Sequence, residues 1–338
     1  MGVRRRRTHR GGGMDFGRLM AGPFVPLVSH PHLQTVLGHL WPRPNGEKRF
    51  PARDRWYETE PGVRILVREQ SPEGEPKGSL LLVHGLESSS EAGYMVSMAY
   101  AALRAGYAVH RMNLRGCGES RGACGALYHA GLTADAAYLV RRLRRDQPPW
   151  LIGYSLGGNV ALKLAGEFGP DGPKLLRGVI AVSAPMDLAA CVRAMEAPEN
   201  RFYDRRFVRK MVKRAGGDGG FNLDGLRSVR EFDDRVTAPY FGFRDAWDYY
   251  RTQSATRVLD RICVPTLIVS AADDPLVPAR IFENPAITSN PRIELRLIPH
   301  GGHLGFIARG KPRLWLDAFL LEWIETAGNN RRERFVLT

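Results

Sequence analysis

Trp150-Leu-Ile-Gly-Tyr-Ser-Leu-Gly-Gly-Asn159 joins two local patterns with no linker between them. The apolar run 150–153 reads as a short buried strand. From Leu156 onward, Leu156, Val160 and Leu164 fall on one face of a helix. At the junction stands Gly153-x-Ser155-x-Gly157. A serine on a sharp strand-to-helix turn is held in a strained backbone, and glycines two before and two after let strand and helix approach. The turn lifts the hydroxyl above the sheet, where the helix N-terminus favours negative charge. Ser155 is therefore the candidate nucleophile.

The same alternation continues on both sides. Strands are expected at 78–84, 107–113, 176–182, 266–270 and 293–298. Helices are expected at 90–104, closed by Gly106, at 133–145, and at 312–326 with Leu316, Leu320, Trp323 and Ile324 inward. Apolar strands separated by helices imply a mostly parallel central sheet flanked by helices on both faces, so the fold class is α/β. The stretch 185–255 interrupts the pattern: it lacks a clear strand, is rich in charge, and carries Phe202, Tyr203, Phe207, Tyr240, Phe241, Trp247 and Tyr249. It reads as a mainly helical lid over the carboxyl ends of the strands, where open α/β sheets bind ligands. The expected organisation is a basic tail (1–20), a core segment with the serine turn (21–184), the lid (185–255), a second core segment (256–327) and a loose tail (328–338).

The 338 residues are 43% hydrophobic and 25% charged, ordinary globular usage. The outlier is a net charge of +14 with a pI near 10.0. Part of it is local, in Arg4, Arg5, Arg6, Arg7 and Arg10. No apolar h-region follows these arginines, and no stretch is long and apolar enough for a membrane span. The expected location is cytoplasmic. The charge leaves room for peripheral contact with an anionic membrane, whereas no nucleic-acid recognition motif is present and no nucleic-acid partner is expected. Cys117, Cys124, Cys191 and Cys263 lack CxxC spacing and read as free thiols.

As a bare pattern the serine turn is weak, and Gly118-Glu-Ser120-Arg-Gly122 matches it too. Ser120 sits in a glycine-rich loop without a strand before it or a helix after it, and reads as loop. A nucleophilic serine also needs a base and an orienting acid. Strand 266–270 leads into Asp273-Asp274-Pro275, and strand 293–298 into His300-Gly-Gly-His303. Ser155, Asp274 and His303 thus follow predicted strands in the order serine, acid, histidine, which is the α/β-hydrolase order. Asp273 and His300 are the neighbouring alternatives. The amides of Leu86, after the strand ending at His84-Gly85, and Leu156 are the candidate oxyanion donors. His84 reads as a packing residue. The spacing of His30, His32 and His39 fits no metal motif, and neither metal nor cofactor is expected.

Several stretches beyond the serine turn carry a resemblance. Ser29-His-Pro-His-Leu-Gln-Thr35, Asn113-Leu-Arg-Gly-Cys-Gly118, Tyr128-His-Ala-Gly131, Glu231-Phe-Asp-Asp234, Asp248-Tyr-Tyr-Arg251 and Gly301-Gly-His-Leu-Gly-Phe306 resemble the YheT-like (AB hydrolase 4) branch of the α/β-hydrolases over about 24–323. The resemblance implies an α/β-hydrolase fold with a Ser155, Asp274, His303 triad. It also implies a carboxylesterase or acylglycerol-lipase-like activity on short- to medium-chain acyl esters. Ser88 departs from that branch, which commonly has glycine there. The alternatives are a hydrolase-fold ligand- or membrane-binding protein without turnover, and an acyltransferase using the same triad.

Overall fold

A computed structural model describes residues 21–144, 147–216 and 220–336, with 329–336 as backbone alone. The basic tail at 1–20 lies outside the described residues. Eight strands form one sheet: β1 (Arg53–Glu60), β2 (Val63–Gln70), β3 (Ser79–Val83), β4 (Ala108–Met112), β5 (Trp150–Tyr154), β6 (Gly178–Val182), β7 (Thr266–Ala271) and β8 (Ile293–Ile298), in the order β1-β2-β4-β3-β5-β6-β7-β8. β1 and β2 pair antiparallel, and β2 joins β4 antiparallel. Every later pair is parallel.

Composition explains that division. β5, β6 and β7 are buried at every position, which suits strands covered on both faces. One face is covered by α3 (Ala134–Leu143) and α4 (Leu156–Phe168), whose Leu139, Val140, Val160 and Leu164 pack with Leu81, Leu151 and Val179. The other face is covered by α2 (Gly93–Arg104) and the Trp315–Val336 helix, through Met95, Met98, Leu316 and Leu320 against Leu80, Ile152 and Val269. Each buried Leu or Ile of this kind contributes roughly 1.5–3 kcal/mol.

Between β6 and β7 the chain is helical: Leu188–Met195, Arg201–Ala215, Ala246–Gln253, and shorter turns that include a π-helical turn at Asp233–Thr237. These elements have their own apolar cluster of Val208, Met211, Val229, Phe232 and Val236, which also takes in Leu127. A short helix near the N-terminus, α1 (Pro31–Leu40), precedes the sheet.

One expectation is corrected. The terminal helix runs from Trp315 to Val336, so the loose tail expected at 328–338 is helical in its backbone as far as Val336. A single glycine such as Gly328 costs only about 1 kcal/mol in a helix, and no proline follows it.

Candidate active site

The turn at Ser155 is as tight as its glycines suggested. Ser155 has φ 51° and ψ −123°, a conformation costing on the order of 1–3 kcal/mol for a residue with a side chain. A Cβ on Gly153 would lie 2.0 Å from the Gly157 carbonyl oxygen, and one on Gly157 would lie 2.4 Å from that of Val83. Asn159 anchors the start of α4: its Nδ2 donates to the carbonyls of Ala130 (2.9 Å) and Gln253 (3.1 Å), and its Oδ1 accepts the Ala255 amide at 2.9 Å.

Three side chains from three strand ends meet above this turn. Ser155 Oγ lies 2.9 Å from His303 Nε2, and His303 Nδ1 lies 2.9 Å from Asp274 Oδ2. The Asp274 side chain has no exposed surface, while that of His303 retains 11%. Asp274 Oδ1 also accepts the amides of Leu276 (2.9 Å) and Val277 (3.0 Å), which fixes the carboxylate. Asp273 turns the other way and accepts the amides of Gly301 and Gly302, both at 2.9 Å, with His300 at 3.2 Å. Ser120 is buried at the far end of a different contact, accepting the Leu66 amide at 2.9 Å.

The loop after β3 is held on every side. His84 Nδ1–H donates to the Gly85 carbonyl (2.7 Å), and its Nε2 accepts the Leu114 amide (3.0 Å). Full burial pushes this imidazole down to about 4, so it is a neutral brace rather than an acid–base group. The Gly85 amide donates to Tyr94 Oη (3.1 Å), and the Glu87 amide to Tyr128 Oη (3.0 Å). Ser88 accepts from the Tyr94 hydroxyl at 3.1 Å, so its departure from glycine adds a clamp. Buried Glu87 pairs with Arg214 Nε at 2.7 Å, and the Arg214 guanidinium lies 4.6 Å from the Tyr128 ring centroid. The amides of Leu86 and Leu156, by contrast, have no acceptor among the described residues.

Residues that sequence reasoning missed support the histidine. Thr35 Oγ1 accepts the His303 amide (2.8 Å), and Gln34 Nε2 donates to the Ile307 carbonyl (2.8 Å). Gly38 lies so close to the loop that a Cβ would come within 2.5 Å of Gly305 Cα. Gln34 and Thr35 fall in the 29–35 stretch that carries the family resemblance, which assigned them no role.

Known proteins share this arrangement of chain. The profile of the alpha/beta hydrolase family matches residues 80–313. YheT of Escherichia coli, a protein named for an inferred esterase activity, is 35% identical over 322 residues, covering 90% of this chain and 93% of its own. The chain belongs to the alpha/beta hydrolase family, in its YheT-like branch. A monoacylglycerol lipase of Saccharomyces cerevisiae is 29% identical over 71% of this chain, and phospholipase ABHD3 of Mus musculus 28% over 73%. The hydrolase spans only 57% and 63% of those two longer proteins. Among solved structures, the Pyrococcus furiosus esterase Pf2001 superposes with a TM-score of 0.56 at 19% identity, over 84% of this chain and 95% of its own.

In this hydrolase the motifs at 231–234 and 248–251 pack into one hydrogen-bonded unit. Asp233 accepts the hydroxyls of Thr237 and Tyr250, each at 2.7 Å, and Asp234 accepts the Ala246 amide at 2.9 Å. Burial holds the Asp233 carboxyl up at about 6. Two cavities meet at Ser155 and His303. One, of about 80 Å³, is lined by Leu188, Val192, Met195 and Met211 of the segment between β6 and β7 and by Val277. The other, of about 360 Å³, runs past Val36, Leu40 and Phe202, which are exposed, to the surface. His32 contacts the Tyr203 hydroxyl at 3.2 Å, and His39 accepts from Arg206 at 3.3 Å. No cluster among the described residues has the ligands for a metal ion, and no described helix is long and apolar enough to cross a membrane.

Proposed function

We propose that the chain is a serine carboxylic-ester hydrolase acting on short- to medium-chain acyl esters through an acyl-enzyme on Ser155. One observation carries the reading: the continuous contact from Ser155 Oγ through His303 to Asp274, each step 2.9 Å, at the junction of the two cavities. His303 Nε2 takes the Ser155 proton as Oγ attacks the ester carbonyl carbon. The carbonyl oxygen becomes an oxyanion, and the free amides of Leu86 and Leu156 are the donors available to it. Asp274 holds His303 in the tautomer with Nδ1 protonated and steadies the imidazolium without taking its proton. Collapse of the tetrahedral intermediate expels the alcohol, which takes the proton from His303. Water then attacks the acyl-enzyme with His303 again as base, releasing the acid and restoring Ser155.

Relatives named as esterase, lipase and phospholipase point to the same chemistry, and the small apolar cavity beneath the lid suits a short acyl chain. Ser155→Ala removes the nucleophile and nothing that packs. It is expected to lower turnover of a butyrate ester by at least ~10³-fold, with an unchanged melting temperature. Ester turnover by a purified Ser155→Ala protein at the wild-type rate would overturn the assignment.

A further inference from the structure

The larger cavity has an unusual rim. Its floor is Ser155, His303 and Leu86, and its outer wall carries His39, Arg206 and Lys210. Arg206 Nη2 donates to His39 Nε2 at 3.3 Å, and Lys210 Nζ donates to the Glu87 carbonyl oxygen at 3.2 Å. Both partners are neutral acceptors. Among the described residues neither cation pairs with a carboxylate. The nearby acids are already committed: Glu87 to Arg214 at 2.7 Å, Glu91 to Arg111 at 2.8 Å and Arg68 at 2.9 Å, and Asp274 to His303.

The helix that supplies these cations compounds the imbalance. Arg201–Ala215 holds Arg201, Arg205, Arg206, Arg209, Lys210, Lys213 and Arg214 against one acid, Asp204, which is buried and accepts the Val229 amide at 2.7 Å. The groove beyond the rim adds Arg121 and Lys213. Positive groups crowd one another here: burial, and after it Arg206 and Lys210, hold His39 below its ordinary value, and burial and Arg206 do the same to Lys210. Like charges facing a partly desolvated cavity destabilise the empty protein. A ligand group of opposite charge relieves that cost, and forked guanidinium donors suit the oxygens of phosphate or carboxylate.

We propose that this rim is a specificity site for an anionic group, a phosphate or a carboxylate, on the alcohol portion of the ester. The proposal rests on the ester-hydrolase reading above. The acyl chain takes the smaller apolar cavity, and the alcohol portion lies in the larger one. Its anionic group meets Arg206 and Lys210, with His39 as a neutral residue that positions Arg206. No covalent step is added: the anion holds the alcohol until the ester oxygen leaves.

The test uses the full chain and water-soluble butyrate esters, so that no bilayer or micelle is present. The phosphate pair is glycerol 3-phosphate monobutyrate against monobutyrin. The carboxylate pair is 3-(butyryloxy)propanoate against its primary amide. Wild type is expected to favour at least one anionic ester over its neutral partner by about tenfold or more in kcat/KM, and the pair that shows it identifies the anion. Arg206→Gln combined with Lys210→Gln is expected to collapse that ratio towards one, and high salt to shrink it. Arg205→Gln, exposed on the same helix and outside the cavity, serves as the charge-matched control and keeps the ratio. Equal wild-type turnover within both pairs overturns the proposal alone, whereas no turnover of any ester removes the hydrolase reading with it. A ratio near one, accompanied by Arg206- and Lys210-dependent binding to phosphatidylglycerol vesicles, would assign these cations to a membrane surface and overturn the proposal.

Discussion

Asp273 and Asp274 are neighbours with opposite tasks. Asp274 spends one oxygen on the amides beyond Pro275 and turns the other to His303, whereas Asp273 caps two amides of the histidine loop. Asp274→Asn preserves the shape but offers His303 the wrong hydrogen-bond partner. Its kcat for a butyrate ester is expected to fall by ~10³–10⁴ with little change in melting temperature. Asp273→Ala loses two backbone contacts and is expected to cost about 1–3 kcal/mol in urea unfolding while lowering kcat less than tenfold. The reverse pattern in these two variants would exchange the assignments. At this scale, the serine between its glycines and the acid before a proline are legible because local backbone demands a residue type. The direction each aspartate takes is not, since both occupy the same turn. Nor does any pattern announce that Glu87 would be buried against Arg214, more than a hundred residues away in the chain.

Among the elements, β5, β6 and β7 were legible because burial at every position favours apolar residues, and the predicted strand ends lie close to those observed. β1 was not: of Arg53–Glu60 only Tyr57 is buried, so this edge strand carries no apolar alternation to read. The role of α1 was equally hidden. Its contribution is a hydroxyl and a glycine set against the histidine loop, contacts that depend on two segments far apart in sequence meeting in space. Thr35→Val keeps the volume and removes the acceptor of the His303 amide. A fall of about tenfold in kcat with KM little changed is expected in steady-state kinetics, as a small misplacement of a catalytic group costs rate before it costs binding. A rise in KM alone would show that Thr35 serves substrate binding instead.

For the whole molecule, buried titratable groups couple stability to pH. Burial raises the carboxyls of Asp233 and Asp317 to about 6, against about 3.9 in the unfolded chain. Between those values the folded protein binds more protons, so their contribution to stability falls as pH rises through that window. Buried His84 and His129, lowered to about 4 and about 3, act oppositely and lose stability as pH falls below their ordinary value of about 6.5. Asp233→Asn isolates one member. Its stability relative to wild type should rise from pH 4 to pH 6 by on the order of 2 kcal/mol and then level off, read from urea midpoints at each pH. A constant offset would remove Asp233 from the account. The central claim concerns the assembled site, which needs the serine turn, the loop after β3 and the histidine loop in register together. Intact mass after treatment with a fluorophosphonate tests that assembly directly, with wild type beside Ser155→Ala. The account predicts one adduct on wild type and none on the variant. A folded wild type without an adduct, or an adduct that survives in Ser155→Ala, would contradict it.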